Sequence, residues 1–360
     1  MSTNFPLRFT IYCSVVALAI GGAAGVLGTA LTSSYLSDYA VQLSELTAPL
    51  RLSQERPRNF PSSYKEAIDT LVTSSLPSIA EIYEGKAGDF GYTQAQRSAI
   101  GIVLTSDGWI AVHGNQNAFV NIKNSSVRIR SQWYPIEHRL DDPSTNTVFL
   151  KVNASGLPVT AFGNGSELQL GEQLFVTVSS SAFVPVSVIQ IQWPDAIAVS
   201  SDEIHRTIVL DQNLDTGTIV FNLNGEMVGV VQDDHSVLMI EAVSSVVRSL
   251  LEKQTIIRPS LGVMSIDIAH AINLPVELSR SYTSGALLSG AASVPRTSVA
   301  KDAGLQPGDI LLSVNGELIN ETHSLDELIA QYRPADSLQI VLDRGGQQQT
   351  IEVVLGEKTQ

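Results

Sequence analysis

Side chains that could bind a metal ion or transfer protons occur throughout the chain, but their spacing does not group them into a site. The histidines lack the intervals of metal ligands, and the paired carboxylates are typical of a solvated acidic face rather than of a glycosidase site. These residues are His113, His138, His205, His235, His270 and His323, with Asp141, Asp142, Asp195, Asp202, Glu203, Asp233 and Asp234. Cys13 is the single cysteine, which excludes an internal disulfide and a cysteine-ligated metal. We therefore expect no metal site and no cofactor.

The composition favours a folded protein that does not bind nucleic acid. Of the 360 residues, 44% are hydrophobic and 16% are charged, which suits two domains and an additional anchor or leader. The formal net charge is −14, from 36 acidic and 22 basic residues. Because this charge would repel a phosphate backbone, and no basic stripe offsets it, we exclude nucleic acid as a partner.

The N-terminal segment has the character of an anchor. Residues 9–31 are 23 uncharged residues, enough to cross about 30 Å of hydrocarbon, so we predict a transmembrane helix there. Arg8 keeps residues 1–8 in the cytoplasm by the positive-inside tendency. A cleaved signal peptide is the alternative, because Gly28-Thr29-Ala30 has the small-x-small pattern of a cleavage site. Both interpretations place the body outside the cytoplasm, in the periplasm or at the cell surface, and the anchor makes it a single-pass membrane protein.

The segments that follow differ in periodicity. Residues 32–65 are polar and proline-containing, which predicts a stalk. Within residues 66–255, short apolar runs alternate with turn residues such as Ser106-Asp107-Gly108, and this spacing predicts an all-β sandwich or barrel. Residues 243–252 repeat valine and leucine at helical intervals, which predicts one helix that closes the domain.

Residues 256–357 form a separate unit in which strands are mixed with one helix, predicted at residues 324–332. The unit carries several glycine-containing motifs in a fixed order. They are Arg258-Pro259-Ser260-Leu261-Gly262-Val263, Ser284-Gly285-Ala286-Leu287-Leu288, Ala303-Gly304-Leu305-Gln306-Pro307-Gly308-Asp309 and Val314-Asn315-Gly316. On these motifs the unit resembles a bacterial-type PDZ domain of mixed α/β structure.

The first motif resembles the loop with which PDZ domains hold the carboxylate of a peptide C-terminus. Such a loop needs backbone N–H groups, a glycine that permits close approach, and an unpaired strand edge beside it. The resemblance implies protein or peptide C-termini as partners, bound by Leu261, Gly262, Val263, Met264, Leu325, Leu328 and Ile329. The last three recur at helical spacing, and they either wall a pocket for an apolar terminal side chain or are ordinary core residues.

The preceding domain carries four recognisable segments, which are Asp107-Gly108-Trp109-Ile110, Asp142-Pro143, Ser166-Glu167-Leu168-Gln169-Leu170-Gly171 and Phe221-Asn222-Leu223-Asn224-Gly225. On these segments the domain resembles the trypsin-fold domain of HtrA/DegP-type serine proteases, which implies a mainly β, double-barrel fold. By this register, Asn115, Asn146 and Thr216 stand where the family has its catalytic histidine, aspartate and serine. Asparagine cannot accept a proton at neutral pH, and Asp215 disfavours negative charge in the oxyanion hole. The resemblance therefore implies a degenerate triad.

One alternative would rescue catalysis. His113 lies two residues before Asn115 and could act as the base, with Asp141 or Asp142 orienting it and Thr216 attacking. This arrangement requires a local shift of the chain and a restored oxyanion hole. The simpler interpretation of His113 is an exposed turn residue beside Gly114.

Three functions remain open from the sequence. The leading hypothesis is a membrane-anchored pseudoprotease that captures C-termini, as a scaffold or a protein quality-control adaptor. The second is an active serine-type endopeptidase of the HtrA/DegP family with unusual catalytic residues. The third is a structural subunit, since HtrA-type domains usually form trimers and the resemblance implies a homo-trimer or a mixed oligomer with homologues.

Overall fold

The computed structural model describes residues 61–85, 91–114, 122–194, 197–233 and 235–359. Several sequence predictions lie outside these residues: the cytoplasmic N-terminus at 1–8, the transmembrane helix at 9–31, the stalk up to residue 60, and Asn115, Asp195 and Asp234. In the ranges that are described, no helix is both long enough and apolar enough to cross a membrane.

The chain enters a first barrel through helix α1 (Tyr64–Thr70), whose first turn is capped by the Ser63 hydroxyl accepting the Glu66 N–H. Among the described residues, the strands of this barrel are β1 (Ile79–Glu84), β2 (Arg97–Val103), β3 (Trp109–His113), β4 (Ser125–Ile129), β5 (Gln132–Asp142) and β6 (Thr147–Val152). They close in the order β1-β2-β3-β6-β5-β4. Buried aliphatic side chains such as Ile82 and Ile110 fill the interior, as alternating strand residues require.

A second closed barrel follows the first. The strands in this part of the described chain are β7 (Gln173–Ser179), β8 (Ala182–Gln192), β9 (Val199–Ser200), β10 (Thr207–Leu210), β11 (Ile219–Phe221), β12 (Met227–Val231) and β13 (Ser236–Met239). All but β9 close this barrel, in the order β10-β13-β12-β11-β7-β8. Helix α2 (Ile240–Lys253) comes next, and its buried Val243, Val246 and Leu250 pack against Phe149 and Phe221, one from each barrel. The predicted helical face thus closes the space between the barrels.

The C-terminal unit surrounds its own core, in which Leu261, Leu305, Leu311 and Leu342 are fully buried. Its elements are β14 (Ile257–Ser260), β15 (Met264–Asp267), α3 (Val276–Ser279), β16 (Ala286–Leu287), α4 (Val299–Asp302), β17 (Ile310–Val314), β18 (Glu317–Leu318), α5 (Leu325–Ala330), β19 (Ser337–Arg344), β20 (Gln347–Val354) and β21 (Gly356–Thr359). The main sheet runs β20-β19-β17-β16-β15-β9, with β18 on β17, and β14 pairs with β21. The predicted helix at 324–332 corresponds to α5.

The edge of this sheet differs from the sequence-based expectation of an unpaired strand beside the Leu261–Gly262 loop. Strand β15 is paired with β9, which comes from the connection between β8 and β10 of the second barrel. The partners are Met264 with Ser200 and Ser265 with Val199, in antiparallel register. A strand edge carries free N–H and C=O groups whatever its sequence, so any extended segment brought beside it can pair. The expectation of an open edge was therefore wrong.

Candidate functional site

His113 is the last residue of β3 and is buried rather than an exposed turn residue. Its backbone pairs with Thr147 on β6, and its Nδ1 lies 3.3 Å from Thr147 Oγ1. Among the described residues its Nε2 has no hydrogen-bond partner. Burial lowers the pKa of His113 to about 4, because the imidazolium would lose its hydration. The side chain is therefore neutral at pH 7 and a weak base.

The two carboxylates considered as partners of His113 bind other groups. Asp142 is fully buried, and its Oδ1 lies 3.2 Å from Arg258 Nη1 while its Oδ2 accepts a close hydrogen bond from Arg258 Nη2. Thr145 Oγ1 donates to the same Oδ2 at 2.7 Å. Burial by itself would raise the pKa of Asp142, but the bonds and charge of Arg258 outweigh it and hold that pKa below its usual value. Asp141 pairs with Arg139 at 2.7 Å.

The loop that contains Thr216 packs against the end of β3. Thr216 is exposed, and its hydroxyl makes a long bond of 3.4 Å to the Gln232 carbonyl. Gly217 adopts φ +88, and a Cβ there would lie 2.5 Å from the His113 carbonyl oxygen, so the close approach requires glycine. A Cβ on Gly114 would lie 3.4 Å from Thr216 Cγ2. The backbones at positions 114 and 216 are therefore neighbours.

Asn146 joins the same place through its backbone. Its φ of 50 is in the left-handed region, which asparagine tolerates better than most side chains. Its carbonyl accepts the Gly114 N–H at 3.1 Å. Positions 146 and 216 are thus both beside Gly114, while residue 115 lies outside the described residues, so the triad register stays a prediction. The described polar groups provide a hydroxyl and a neutral imidazole, but no carboxylate that contacts the imidazole.

The loop before β15 holds a carboxylate. Asp202 Oδ1 accepts the N–H groups of both Leu261 and Gly262 at 3.0 Å, and its Oδ2 accepts the Ser260 hydroxyl at 2.5 Å. Gly262 has φ +72, and a Cβ there would lie 2.8 Å from Ser298 Cβ, so a larger residue would deform the loop. The geometry matches the carboxylate capture that the resemblance implies, but the bound group belongs to the chain itself. Sequence reasoning placed Asp202 in a solvated acidic face, because no local pattern indicates its partner 59 positions away.

Leu325, Leu328 and Ile329 lie in α5 at 3%, 1% and 1% exposure. They belong to the core cluster that also contains Leu261 and Val263. The structure places these residues among the core side chains, and their role as the wall of a pocket stays a prediction. In this arrangement no terminal side chain of a peptide could pack against them without movement of the loop or of α5, since they are already buried.

Buried charges connect the barrels to the C-terminal unit, and the sequence did not indicate them. Arg206 forms an ion pair with Glu327 of α5 at 2.7 Å, with both side chains almost fully buried, and its Nη2 donates to the Ser166 carbonyl at 2.6 Å. Burial raises the pKa of Glu327 to about 8 despite the charge of Arg206, and the nearby Asp326 and Glu241 push it in the same direction. Burial likewise raises the pKa values of Asp326 and Glu241. Arg206 therefore faces the carboxyl groups of Glu327 and Glu241, whose pKa values are raised in spite of its charge.

Comparison with known proteins gives a consistent result. The family model of a PDZ domain matches residues 291–338. A probable periplasmic serine endoprotease DegP-like of Marinomonas sp. (strain MWYL1) is 26% identical over 277 residues, covering 73% of this chain and 58% of that protein. Its counterpart of Hahella chejuensis (strain KCTC 2396) is 26% identical over 285 residues, covering 74% and 58%. The chain is therefore similar to HtrA/DegP-like serine proteases.

Solved structures support the fold of this HtrA/DegP-like chain. The HtrA-type protease AlgW with tripeptide aligns at a TM-score of 0.53 and 18% identity, covering 83% of this chain and 98% of that one. The same protease with decapeptide aligns at a TM-score of 0.51 and 18% identity, covering 83% of this chain and 99% of that one. The chain spans 58% of the length of the curated relatives named above. Across the described ranges, no group of three histidine, cysteine, aspartate or glutamate side chains is arranged to hold a metal ion.

Proposed function

We propose that this HtrA/DegP-like chain is a non-catalytic, extracytoplasmic protein that binds peptide or protein C-termini through its PDZ domain, as a scaffold or quality-control adaptor. One observation carries the proposal. The Leu261 and Gly262 amides converge on a carboxylate, whereas the positions of the triad hold Asn146 and Thr216 beside a buried, neutral His113.

The argument against catalysis rests on proton transfer. Acyl transfer needs a base within hydrogen-bond reach of the hydroxyl and an acceptor that orients the base. The described contact of the Thr216 hydroxyl is with a backbone carbonyl, and His113 contacts Thr147 rather than a carboxylate. A pKa of about 4 also makes His113 a poor proton acceptor at neutral pH.

The argument for binding rests on backbone donors. Two consecutive amides at 3.0 Å from one carboxylate oxygen, with the Ser260 hydroxyl on the other oxygen, form a charge-assisted site that any carboxylate of suitable reach can use. The adjacent edge of β15 already pairs with Val199 and Ser200, so it accepts an added strand, the usual mode of peptide capture by PDZ domains. We expect the full-length protein to bind a decapeptide with a free C-terminal valine at least threefold more tightly than the amidated peptide. Equal affinity for the two would contradict the proposal.

An active serine-type endopeptidase is the alternative, favoured by the names of the curated relatives, which are probable serine endoproteases. A fluorophosphonate probe separates the two, because it labels an activated nucleophile whatever the substrate. We expect no labelling of the full-length protein and no hydrolysis of unfolded casein. Labelling that is lost in Thr216→Ala and in His113→Ala would establish the alternative and the role of His113 as base.

We propose that residues 9–31 anchor the protein in the membrane with its body on the extracytoplasmic side, as the names of the periplasmic relatives favour. The full-length protein should stay in membranes through alkaline carbonate washing. Recovery in the soluble fraction, with a new N-terminus near residue 31, would instead indicate a cleaved signal peptide. Assembly as a homo-trimer or with homologues is a further proposal, which the mass of the detergent-solubilised complex would test.

A further inference from the structure

The segment that pairs with β15 follows the geometry of a bound peptide. Ser201 N donates to the Val263 carbonyl at 2.9 Å, and the pairing continues through Ser200 with Met264 and Val199 with Ser265. Met264 N points away from this segment and donates to Ser293 at 2.9 Å. The added strand is antiparallel to β15 and ends at the carboxylate loop, as an added peptide strand would.

The carboxylate at the end of this strand comes from a side chain instead of a chain terminus. Ser201 is 1% exposed and occupies the position of a final peptide residue, and the next residue, Asp202, turns its side chain onto the Leu261 and Gly262 amides. Ser201 Oγ donates to Asp202 Oδ1 at 2.8 Å and accepts the Val263 N–H at 3.2 Å, which completes the hydrogen bonding of the loop.

The segment beyond Asp202 stays attached to the C-terminal unit. Glu203 pairs with Lys358 at 2.7 Å, and the His205 N–H is donated to Asp326 at 3.0 Å. The internal segment therefore binds both the edge of β15 and the carboxylate loop, and it does so without a free chain terminus. Its strand part is only two residues long, with half-buried side chains. An external peptide could therefore make most of the contacts that this short strand makes.

We infer that the PDZ groove is occupied by the chain's own residues 199–202, with the Asp202 carboxylate in the place of a ligand's terminal carboxylate, so that a C-terminal peptide binds by displacing this segment. The inference rests on the proposed peptide-binding function and adds its regulation. Because the internal segment is part of the same chain, it competes at a high effective concentration. The apparent affinity for an external peptide is then the intrinsic affinity multiplied by the fraction of molecules whose groove is open.

The first experiment compares variants of the full-length protein in detergent. The probe is a labelled decapeptide with a free C-terminal valine, together with its amidated twin. We expect Asp202→Ala to bind the free-acid peptide at least tenfold more tightly than the wild type, with Asp202→Asn intermediate because its amide oxygen can still accept both N–H groups. Glu277→Gln removes one negative charge from an exposed residue of α3 that has no part in the loop or in the attachment of the segment, and it should bind like the wild type. Equal affinities for the wild type and Asp202→Ala would overturn the inference.

A second experiment locks the segment in place. Ser200 and Met264 are direct partners at a position where neither N–H bridges the two strands, the pair type with the closest side chains. In a chain with Cys13→Ser, the double variant Ser200→Cys and Met264→Cys should form a disulfide. We expect the oxidised protein to lose peptide binding and reductant to restore it. Equal binding by the oxidised and reduced forms would overturn the inference.

Failure of the inference and failure of the proposed function give different results. If Asp202→Ala prefers the free acid over the amide but the wild type binds equally well, the function stands and the self-occupancy is wrong. If no variant prefers the free acid, the function fails, and amide hydrogen exchange at Leu261 and Gly262 then decides the inference. Exchange at least tenfold faster in Asp202→Ala than in Glu277→Gln supports the internal occupant, and equal rates contradict it.

Discussion

The end of β3 beside Thr216 and the loop before β15 are the two places where the family resemblance implies function, and they depend on different parts of the chain. The first needs particular side chains, and here the His113 imidazole contacts Thr147, the Thr216 hydroxyl contacts a backbone carbonyl, and no acid contacts the imidazole. The second needs backbone amides and one glycine, and here both amides of the loop hold a carboxylate at 3.0 Å.

The difference shows how each kind of site can be inactivated. A catalytic triad is lost by substitution, because only a few side chains can accept a proton or attack a carbonyl carbon. A carboxylate loop survives most substitutions, because every residue except proline carries the N–H that it uses. Such a loop is silenced by covering it, and the covering group in this chain is Asp202.

The largest expected effect is a loss of stability where Arg206 joins the second barrel to the C-terminal unit. Arg206→Ala removes a charged donor from both the Glu327 carboxyl and the Ser166 carbonyl. We expect a loss of about 3 to 5 kcal/mol in the free energy of unfolding, about 1.5 to 3 kcal/mol for each bond. Glu327→Gln is the matched control. Since the pKa of Glu327 is raised to about 8, glutamine resembles the form present at pH 7, and the loss should stay below about 1 kcal/mol. Urea unfolding measures both, and equal losses would contradict the assignment of the buried charges.

Acid should weaken the barrel region through His113. Its folded pKa of about 4 lies below the ordinary value of 6.5, so between these values the unfolded chain binds a proton that the folded chain does not. Stability therefore falls as pH decreases from about 6.5 to 4, by about 3 kcal/mol in total from this residue. His113→Gln should remove that part of the pH dependence when unfolding is measured from pH 7 to 4.5. Identical pH profiles for the variant and the wild type would show that His113 is not held neutral.

The carboxylate loop should be sensitive to one added methyl group. Gly262→Ala combines φ +72 with a Cβ only 2.8 Å from Ser298, and we expect a loss of about 2 kcal/mol or more together with loss of peptide binding. Gly304→Ala has a similar φ of +93 with no atom within 4 Å, so it isolates the backbone strain at about 1 kcal/mol and should leave binding intact. Thermal unfolding and peptide titration measure the two effects. Unchanged binding by Gly262→Ala would remove the loop from the proposed site.

The smallest expected effect is on catalysis. Restoring the family residues by Asn115→His, Asn146→Asp and Thr216→Ser should yield no detectable hydrolysis of casein. The Thr218 N–H and hydroxyl both bond to the Asp215 carbonyl and hold the loop in its present form. Adding Leu214→Gly, Asp215→Asn and Thr218→Gly should increase turnover more than the three triad changes do. Substantial turnover with the triad changes alone would show that the loop around position 216 already has a conformation that supports catalysis.

Much of the architecture was predictable because its causes are local. The short apolar runs with turn residues between them indicated the β-barrels, and the ordered glycine motifs after residue 256 indicated the PDZ domain. The register that aligns positions 146 and 216 with the triad stays a prediction, while the structure places the Asn146 carbonyl and the Thr216 side chain beside Gly114. The exposure of His113 was mispredicted, because a glycine beside a histidine is typical of a turn and β3 in fact continues through that histidine.

The sequence alone determined which chemical groups are available: a hydroxyl at 216, asparagine at 115 and 146, and a glycine loop at 262. Only the tertiary structure decided what each group contacts. Arg258 binds Asp142 from 116 positions away, and Asp202 reaches Leu261 across 59 positions. Such contacts form when separate units dock, and they depend on where a whole strand edge or helix lies. Because a backbone N–H is the same in nearly every residue, no pattern of side chains in the loop could indicate that its partner is already in place.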